Sequence, residues 1–472
     1  MYEALVRLWP QWLATLIVSL LSISIGLVIG WTSPYLAQLT GEDPSFPITH
    51  EQASWIASLL PLGRIFGAVI GSLFVEYLGS KMSLLLTGLP MIFGWICVIC
   101  ANSVMWLYVF RIFSGISFGM LFTCYPLYIG EISIPSIRGA LVSFIINAIL
   151  LGLLFGNIMG PNMSMTYFGI ISLILTICYI TTFLFIPRSP HYFIRRNDME
   201  RAEKAIQWYF KKTDVKSELE ALEHFIKSTR AVTIKDRLEQ IKMPKNRRAF
   251  TIIILLFMFM QLGGLNTVIL YMEIIVRKAM IMSIAPSSVV IIINTIGIIF
   301  GWCGTYAIDH FGRRILLAIS SSGVILGMLL LGLHFHLLSL DYDPGDLEWL
   351  LILSLIIFML MFFGLVPVPS TMLSELFPSD LKSVAGFVSS ITSAIFAFVS
   401  TKSYQPLIEI IGEQYVFWVY AGIITICLLY SVTLVPETKG KTLQEIQDMM
   451  AAETTERSRR ENNVETEDTF AN

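Results

Sequence analysis

The sequence predicts an all-α polytopic membrane protein, with twelve transmembrane helices in two six-helix halves. Three observations carry this. The 472 residues are 55% hydrophobic and 14% charged, where an ordinary soluble domain is about 25% charged. Twelve apolar stretches each approach the roughly 20 residues a helix needs to cross a bilayer. One polar segment, 187–249, holds 16 of the 32 Lys and Arg and separates six stretches from six. A mean hydropathy of +0.71 exceeds what a soluble core can absorb, so lipid is the expected solvent. At net charge −2 no basic field attracts nucleic acid. Cys97, Cys100, Cys124, Cys178, Cys303 and Cys427 all lie in apolar stretches. They read as small buried hydrophobes, and neither metal nor organic cofactor is expected.

In the first half the spans read 11–31, 54–76, 82–101, 104–125, 140–160 and 166–186. No small-residue cleavage site follows the first run, which is therefore read as a retained helix. It offers Ser19, Ser22 and Ser24 but no carboxylate. The second span carries Gly63, Gly67 and Gly71, the fourth Gly115 and Gly119 after Arg111, and the fifth Gly152, Gly156 and Gly160. Spacings of four set small residues on one face, where backbones approach closely. Arg64 and Arg111 lie within apolar spans and must face a bundle interior or a wet cavity. Arg111 is expected to have a structural partner; Arg64 has none visible in sequence.

In the second half the spans read 250–271, 286–307, 315–336, 350–373, 383–402 and 415–435. The seventh is interrupted by Gly263-Gly264 and the tenth by Pro367 and Pro369, two expected break or flexing points. The expected domains are a first half (1–186), a helical linker (187–249), a second half (250–435) and a tail (436–472) with nine acids and five bases that reads as disordered. In the linker, Asp198 is placed to cap a helix burying Ala202, Ala205, Ile206 and Tyr209. Asp214 and the run Ile234, Leu238, Ile241 mark two further patterns.

The positive-inside rule puts the basic linker, and so both termini, in the cytoplasm. Loops 32–53 and 337–349 contain acids and no Lys or Arg, as outer loops should. The sequon at Asn162 lies three residues from a membrane end and is expected to stay unmodified.

An internal repeat relates the halves. Glu131 precedes Arg138 by seven residues with Pro135 between, and Glu375 precedes Lys382 by seven with Pro378 between. Glu76, Gly79 and Lys81 match Asp309, Gly312 and Arg314 at a constant offset. Parallel six-helix repeats are the construction of transporters that rock one half against the other. Glu131, Arg138, Asp309, Arg313, Arg314, Glu375, Lys382 and Glu437 gather at the cytoplasmic helix ends and form a candidate gate. A substrate site should be polar and near mid-membrane. Gln261, Asn266 and Tyr271 in the seventh span and Asn294 in the eighth supply the donors and acceptors that a hydroxyl-rich ligand needs. Gln261 and Asn266 lie about 140° apart on a straight helix. No Asp or Glu falls mid-span by these boundaries, which points away from proton coupling.

Several motifs add a resemblance. They are Arg111 to Gly119 with Pro126, Tyr128, Glu131 and Arg138-Gly139; Gln261 to Asn266 with Tyr271; Asp309 to Arg314; Ser374 to Pro378; and Val435 to Thr442 with Glu445. In this order the chain resembles the sugar porter branch of the major facilitator superfamily along nearly its whole length. Gly30 to Pro34 and Phe398 to Lys402 are similar to the insect facilitated trehalose transporters. The resemblance implies a major facilitator fold in the plasma membrane and a facilitative, alternating-access uniporter of trehalose or a hexose. Gln261, Asn266 and Asn294 would bind sugar hydroxyls, the charges would close the inner gate, and neither an enzyme activity nor an oligomer is required.

Departures from the family pattern are Ile146 for a fifth-span Gln, Met260 for the first of two seventh-span Gln, Ser370 for a tenth-span Trp, no Trp in 383–402, Arg188 in place of Glu with His191 in place of Arg after the sixth span, and Ser80-Lys81 for two Arg. They leave two further readings: a carrier of another small polar or organic solute, and a non-transporting sugar sensor.

Overall fold

A computed structural model of the chain describes residues 8–41, 46–211, 239–377 and 379–439, with 215, 219, 220, 222, 223, 441, 445, 446 and 449. The first half consists of α1 (Trp9–Leu39), α2 (His50–Leu78), α3 (Ser80–Ile99), α4 (Val104–Ile132), α5 (Pro135–Asn162) and α6 (Met165–Leu184). The linker contributes α7 (Pro190–Arg195) and α8 (Met199–Phe210). The second half consists of α9 (Pro244–Leu262), α10 (Leu265–Lys278), α11 (Pro286–Phe311), α12 (Arg313–Leu338), α13 (Pro344–Leu365), α14 (Pro367–Leu376), α15 (Ser379–Ile411) and α16 (Glu413–Leu434). Among the described residues, eleven helices are long and apolar enough to cross a membrane, with α9–α10 and α13–α14 each counted as one, and α11 supplies a twelfth apolar helix.

Several helices run past the apolar stretches that mark their spans in the sequence. Thr49 starts α2 with a capping box, accepting from Gln52 N at 3.2 Å while its own N–H donates to Gln52 Oε1 at 3.0 Å. α10 continues past the predicted boundary to Lys278 and so takes in Glu273. The expectation of carboxylate-free spans is corrected there. Glu273 is buried and paired with Arg277 at 2.8 Å, one turn along the same helix.

The glycine stripes let backbones touch. A Cβ on Gly67 would stand 2.1 Å from Ile116 O, and one on Gly119 2.2 Å from Arg64 O, so α2 and α4 meet without side chains between them. Gly26 and Gly152 place α1 against α5 in the same way, at 2.1 Å from Ile149 O and 2.2 Å from Ile23 O. Arg111 is fully buried between α4 and α1. It donates to Val28 O at 3.1 Å and to Thr32 Oγ1 at 2.7 Å, and its guanidinium lies 4.6 Å from the Trp31 ring centroid. The expected structural partner is thus a helix backbone plus an aromatic face. Arg64 is held over the Phe118 ring at 4.6 Å, a cation–π contact that spacing along one helix does not reveal.

The linker docks beneath the first half. Asp198 caps α8, accepting from Arg201 N at 3.2 Å, and Ala202, Ala205, Ile206 and Tyr209 are buried as the pattern predicts. Tyr209 O accepts from Gln11 Nε2 at 3.2 Å, and its hydroxyl donates to Pro187 O at 2.8 Å. Asp214, Ile234 and Leu238 lie outside the described residues. The internal repeat is visible in the backbone: Gly79 (φ 83°, ψ 163°) and Gly312 (φ 90°, ψ 160°) make the same turn into the third helix of each half.

Candidate functional site

The seventh span breaks where the sequence places two glycines. α9 ends at Leu262, Gly264 takes φ +77°, and α10 starts at Leu265. A side chain at Gly264 would be strained by that φ and would meet the Tyr420 ring, 2.3 Å from its Cβ. The break redirects Asn266. On a continuous helix it would face away from Gln261; here its Nδ2 donates to Gln261 Oε1 at 2.5 Å. Gln261 Nε2 in turn donates to Ser393 Oγ on α15 at 2.9 Å, with Gln261 only 4% exposed. Three polar side chains from three helices, α9, α10 and α15, therefore form one chain of donors and acceptors.

Further polar groups follow along α10. Thr267 Oγ1 and Ser400 Oγ are 3.0 Å apart, beside a Tyr420 hydroxyl that has no well-formed hydrogen bond. Tyr271 packs against Tyr404 in a tilted arrangement, 4.8 Å between ring centroids. Its hydroxyl lies beside Ser54 and near Arg111 of the first half, again without a well-formed bond. Asn294 is 1% exposed; its Nδ2 donates to Val290 O at 2.9 Å and lies 3.9 Å from Met272 Sδ of α10, and its Oδ1 has no hydrogen-bond partner. Of the four predicted residues, Gln261 and Asn266 come together, while Tyr271 and Asn294 stand apart from that pair. Ser393, Ser400 and Tyr420 escaped the sequence reading. Ser389, Ser393 and Ser400 fall on one helical face of α15, a signal that apolar counting passes over.

The two ends of the bundle differ in how they pair. At the end away from the basic linker, contacts cross between halves. Ser33 Oγ accepts from Glu273 N at 2.9 Å, Ser54 Oγ donates to Lys402 O at 3.2 Å, and Lys402 Nζ lies 4.1 Å from the Trp55 ring centroid. At the basic end the described gate pairs join helices of one half. Arg313 binds Glu375 Oε1 through NH2 at 2.7 Å and Nε at 3.1 Å, and Thr438 Oγ1 donates to Glu375 Oε2 at 2.5 Å. Glu437 accepts from Arg313 N at 3.1 Å, Arg314 N at 3.0 Å and Lys439 N at 2.9 Å, so it caps α12. Burial opposes ionisation of Glu437, but the backbone amides outweigh it and hold its carboxyl below the usual carboxylate range. In the first half, Glu131 accepts from Ser80, while Arg138 donates to Ser133 Oγ at 3.4 Å and Ser133 O at 3.3 Å. Lys382 is exposed, and the side chain of Asp309 lies outside the described residues.

Residues 14–450 match the family described as sugar (and other) transporter. The facilitated trehalose transporter Tret1 of Polypedilum vanderplanki is 31% identical over 94% of this chain and 89% of its own length. Tret1 of Drosophila mojavensis is also 31% identical over 94% of this chain, but the chain spans only 52% of that relative. Several curated relatives are thus about twice as long as this chain. Among solved structures, the inward-open xylose transporter XylE from E. coli superposes with a TM-score of 0.76 at 21% identity, covering 92% of this chain and 98% of that one. The proton:xylose symporter XylE bound to 6-bromo-6-deoxy-D-glucose gives 0.73 at 20% identity, covering 93% and 99%. These likenesses give the fold, a major facilitator arrangement of two six-helix repeats. With a match over nearly its whole length, the chain belongs to the sugar (and other) transporter family.

Proposed function

We propose that this chain is a facilitative sugar uniporter of the plasma membrane that works by alternating access, with both termini cytoplasmic and with trehalose or a hexose as substrate. The observation that carries this reading is the Asn266–Gln261–Ser393 chain at the α9–α10 break. It offers both donors and acceptors, carries no charge, and belongs to a helix free to change its bend there. A sugar hydroxyl entering the chain would exchange one hydrogen bond for another, which keeps binding reversible. Asn294 Oδ1 and the Tyr271 hydroxyl lack partners and would take further hydroxyls once the site closes.

The unequal ends support the alternating-access reading. Contacts between the halves join the end away from the basic linker, while the described ion pair at the basic end, Arg313–Glu375, lies within one half. In the opposite state Glu131, Arg138, Glu375, Lys382 and Glu437, with Asp309, Arg313 and Arg314, would meet across the halves. Substrate must supply the differential binding that shifts this equilibrium. Uniport is supported by the setting of Glu273, a buried carboxylate already neutralised by Arg277 on its own helix. The named neighbours of this fold include a proton:xylose symporter, so uptake measured at varied external pH decides the point. pH-insensitive, saturable uptake supports the reading.

A second reading, a carrier of another small polar solute, is favoured by Ile146, Met260 and Ser370 at positions where the family often binds sugar. Counterflow against a panel of sugars and polyols separates the two.

A further inference from the structure

The two halves treat the start of their third helix differently. In the second half Gly312 turns the chain into α12, and Glu437, next to the proline that ends the last span, places its carboxylate on the first amides of α12. In the first half Gly79 makes the same turn into α3. The residue next to the corresponding proline is Arg188; among the described residues no side chain accepts from the first amides of α3, although the hydroxyl of its first residue, Ser80, donates to Glu131. A cleft of about 570 Å³ opens there, lined by Lys81, Arg188, Tyr192, Arg196, Asp198 and Arg201. Four cations face one carboxylate. That carboxylate is engaged with Arg201 at 3.4 Å and with the first turn of α8. Arg188 and Arg196 lie over the Tyr192 ring at 4.5 and 4.9 Å, and Lys81 Nζ donates to Leu184 O at 3.2 Å. The aromatic ring and the carbonyl orient the cations without neutralising them. Strongly exposed apolar side chains adjoin the cleft, Tyr77 at 71% and Phe185 at 88%, and mark the edge of the lipid-facing surface.

We propose that this cleft binds a phosphate-bearing anion, which supplies to the first half the negative charge that Glu437 supplies to the second. Planar guanidiniums beside an ammonium and an uncapped helix start suit a phosphate group better than a single carboxylate. The position at the membrane edge admits the headgroup of an anionic phospholipid as well as a soluble phosphate ester.

The test is thermal unfolding of the purified full-length chain, which does not depend on sugar transport and so stands or falls separately from the proposed function. One arm compares nanodiscs of phosphatidylcholine with nanodiscs that also contain phosphatidylinositol 4-phosphate. The other adds inositol 1,4-bisphosphate to the protein in phosphatidylcholine nanodiscs. The variants are Arg196→Gln, at an exposed residue, and Arg188→Glu, which restores the acid of the repeat. The expected result is a rise in Tm of the natural chain in at least one arm. Apparent affinity should fall about tenfold or more in Arg196→Gln, as for loss of one charge-assisted contact. Arg188→Glu should abolish the response while unfolding no lower than the natural chain in phosphatidylcholine alone. A response to the lipid only identifies a headgroup site, a response to the soluble compound only identifies a metabolite site, and either supports the proposal. No shift in either arm, or an undiminished shift in Arg196→Gln, overturns it.

Discussion

Asn266 donates to Gln261 at 2.5 Å across a helix break, although the two lie five residues apart and would diverge on an unbroken helix. Gly264 at φ +77° makes the meeting possible, and Tyr420 packed against it leaves no room for a side chain. Gly264→Ala should therefore cost about 1–3 kcal/mol from backbone strain, plus whatever the ring must yield. Uptake should fall further than surface expression. A variant with normal uptake would separate the break from the site.

Gly67 and Gly130 make a second, paired test. A Cβ on Gly67 would collide with the α4 backbone at 2.1 Å, whereas one on Gly130 meets nothing within 4 Å. Gly67→Ala should prevent α2 and α4 from closing and lower Tm sharply. Gly130→Ala should be neutral or stabilising by about 0.5–1 kcal/mol, the gain in helix propensity. Melting of the two purified variants side by side gives the comparison.

The Arg313–Glu375 pair is largely buried, with side-chain exposures of 11% and 21%, and Arg313 binds through two nitrogens. Arg313→Lys keeps the charge but not the fork. It should lose roughly 1.5–3 kcal/mol of charge-assisted bonding and shift the balance between inward- and outward-facing states. Labelling of a cysteine introduced near the basic end reports that balance.

Glu437 carries a sign-determined pH effect. Its carboxyl is held below the usual range despite burial, because backbone amides of Lys439, Arg313, Arg314 and Thr438 donate to it. A depressed acid stabilises the fold above its unfolded value of about 4.3 and loses that contribution as pH falls through the folded value. The Tm gap between the natural chain and Glu437→Gln should be constant above about pH 5.5 and shrink in more acidic buffer. A gap that widens on acidification would contradict the capping role.

Much of this was legible in sequence where the signal is local. Apolar length gave the spans, Gly263-Gly264 the break, spacing-four glycines the close helix pairs, and Asp198 a cap three residues before the amide it accepts from. What escaped depends on distant partners. Ser393 reaches Gln261 from 132 residues away, and Arg64 finds the Phe118 ring on another helix. Glu273 was missed for a different reason: α10 runs on past the apolar core, so a boundary drawn from hydropathy left a buried carboxylate outside its own helix. The resemblance has the gate charges close the inner gate, and the described ion pair at that end lies within one half. The sequence records which charges gather at one face but not which of two conformations pairs them.

The central claim is a sugar facilitator whose site lies at the α9–α10 break. The most direct test is uptake of radiolabelled trehalose and glucose into oocytes expressing the chain, at several external pH values. An Asn266→Ala/Asn294→Ala variant runs beside it at matched surface expression. The account predicts saturable uptake of at least one sugar, unchanged by pH and lost in the double variant. Uptake that rises with acidification would contradict uniport, and no uptake of either sugar with the protein at the surface would contradict the substrate.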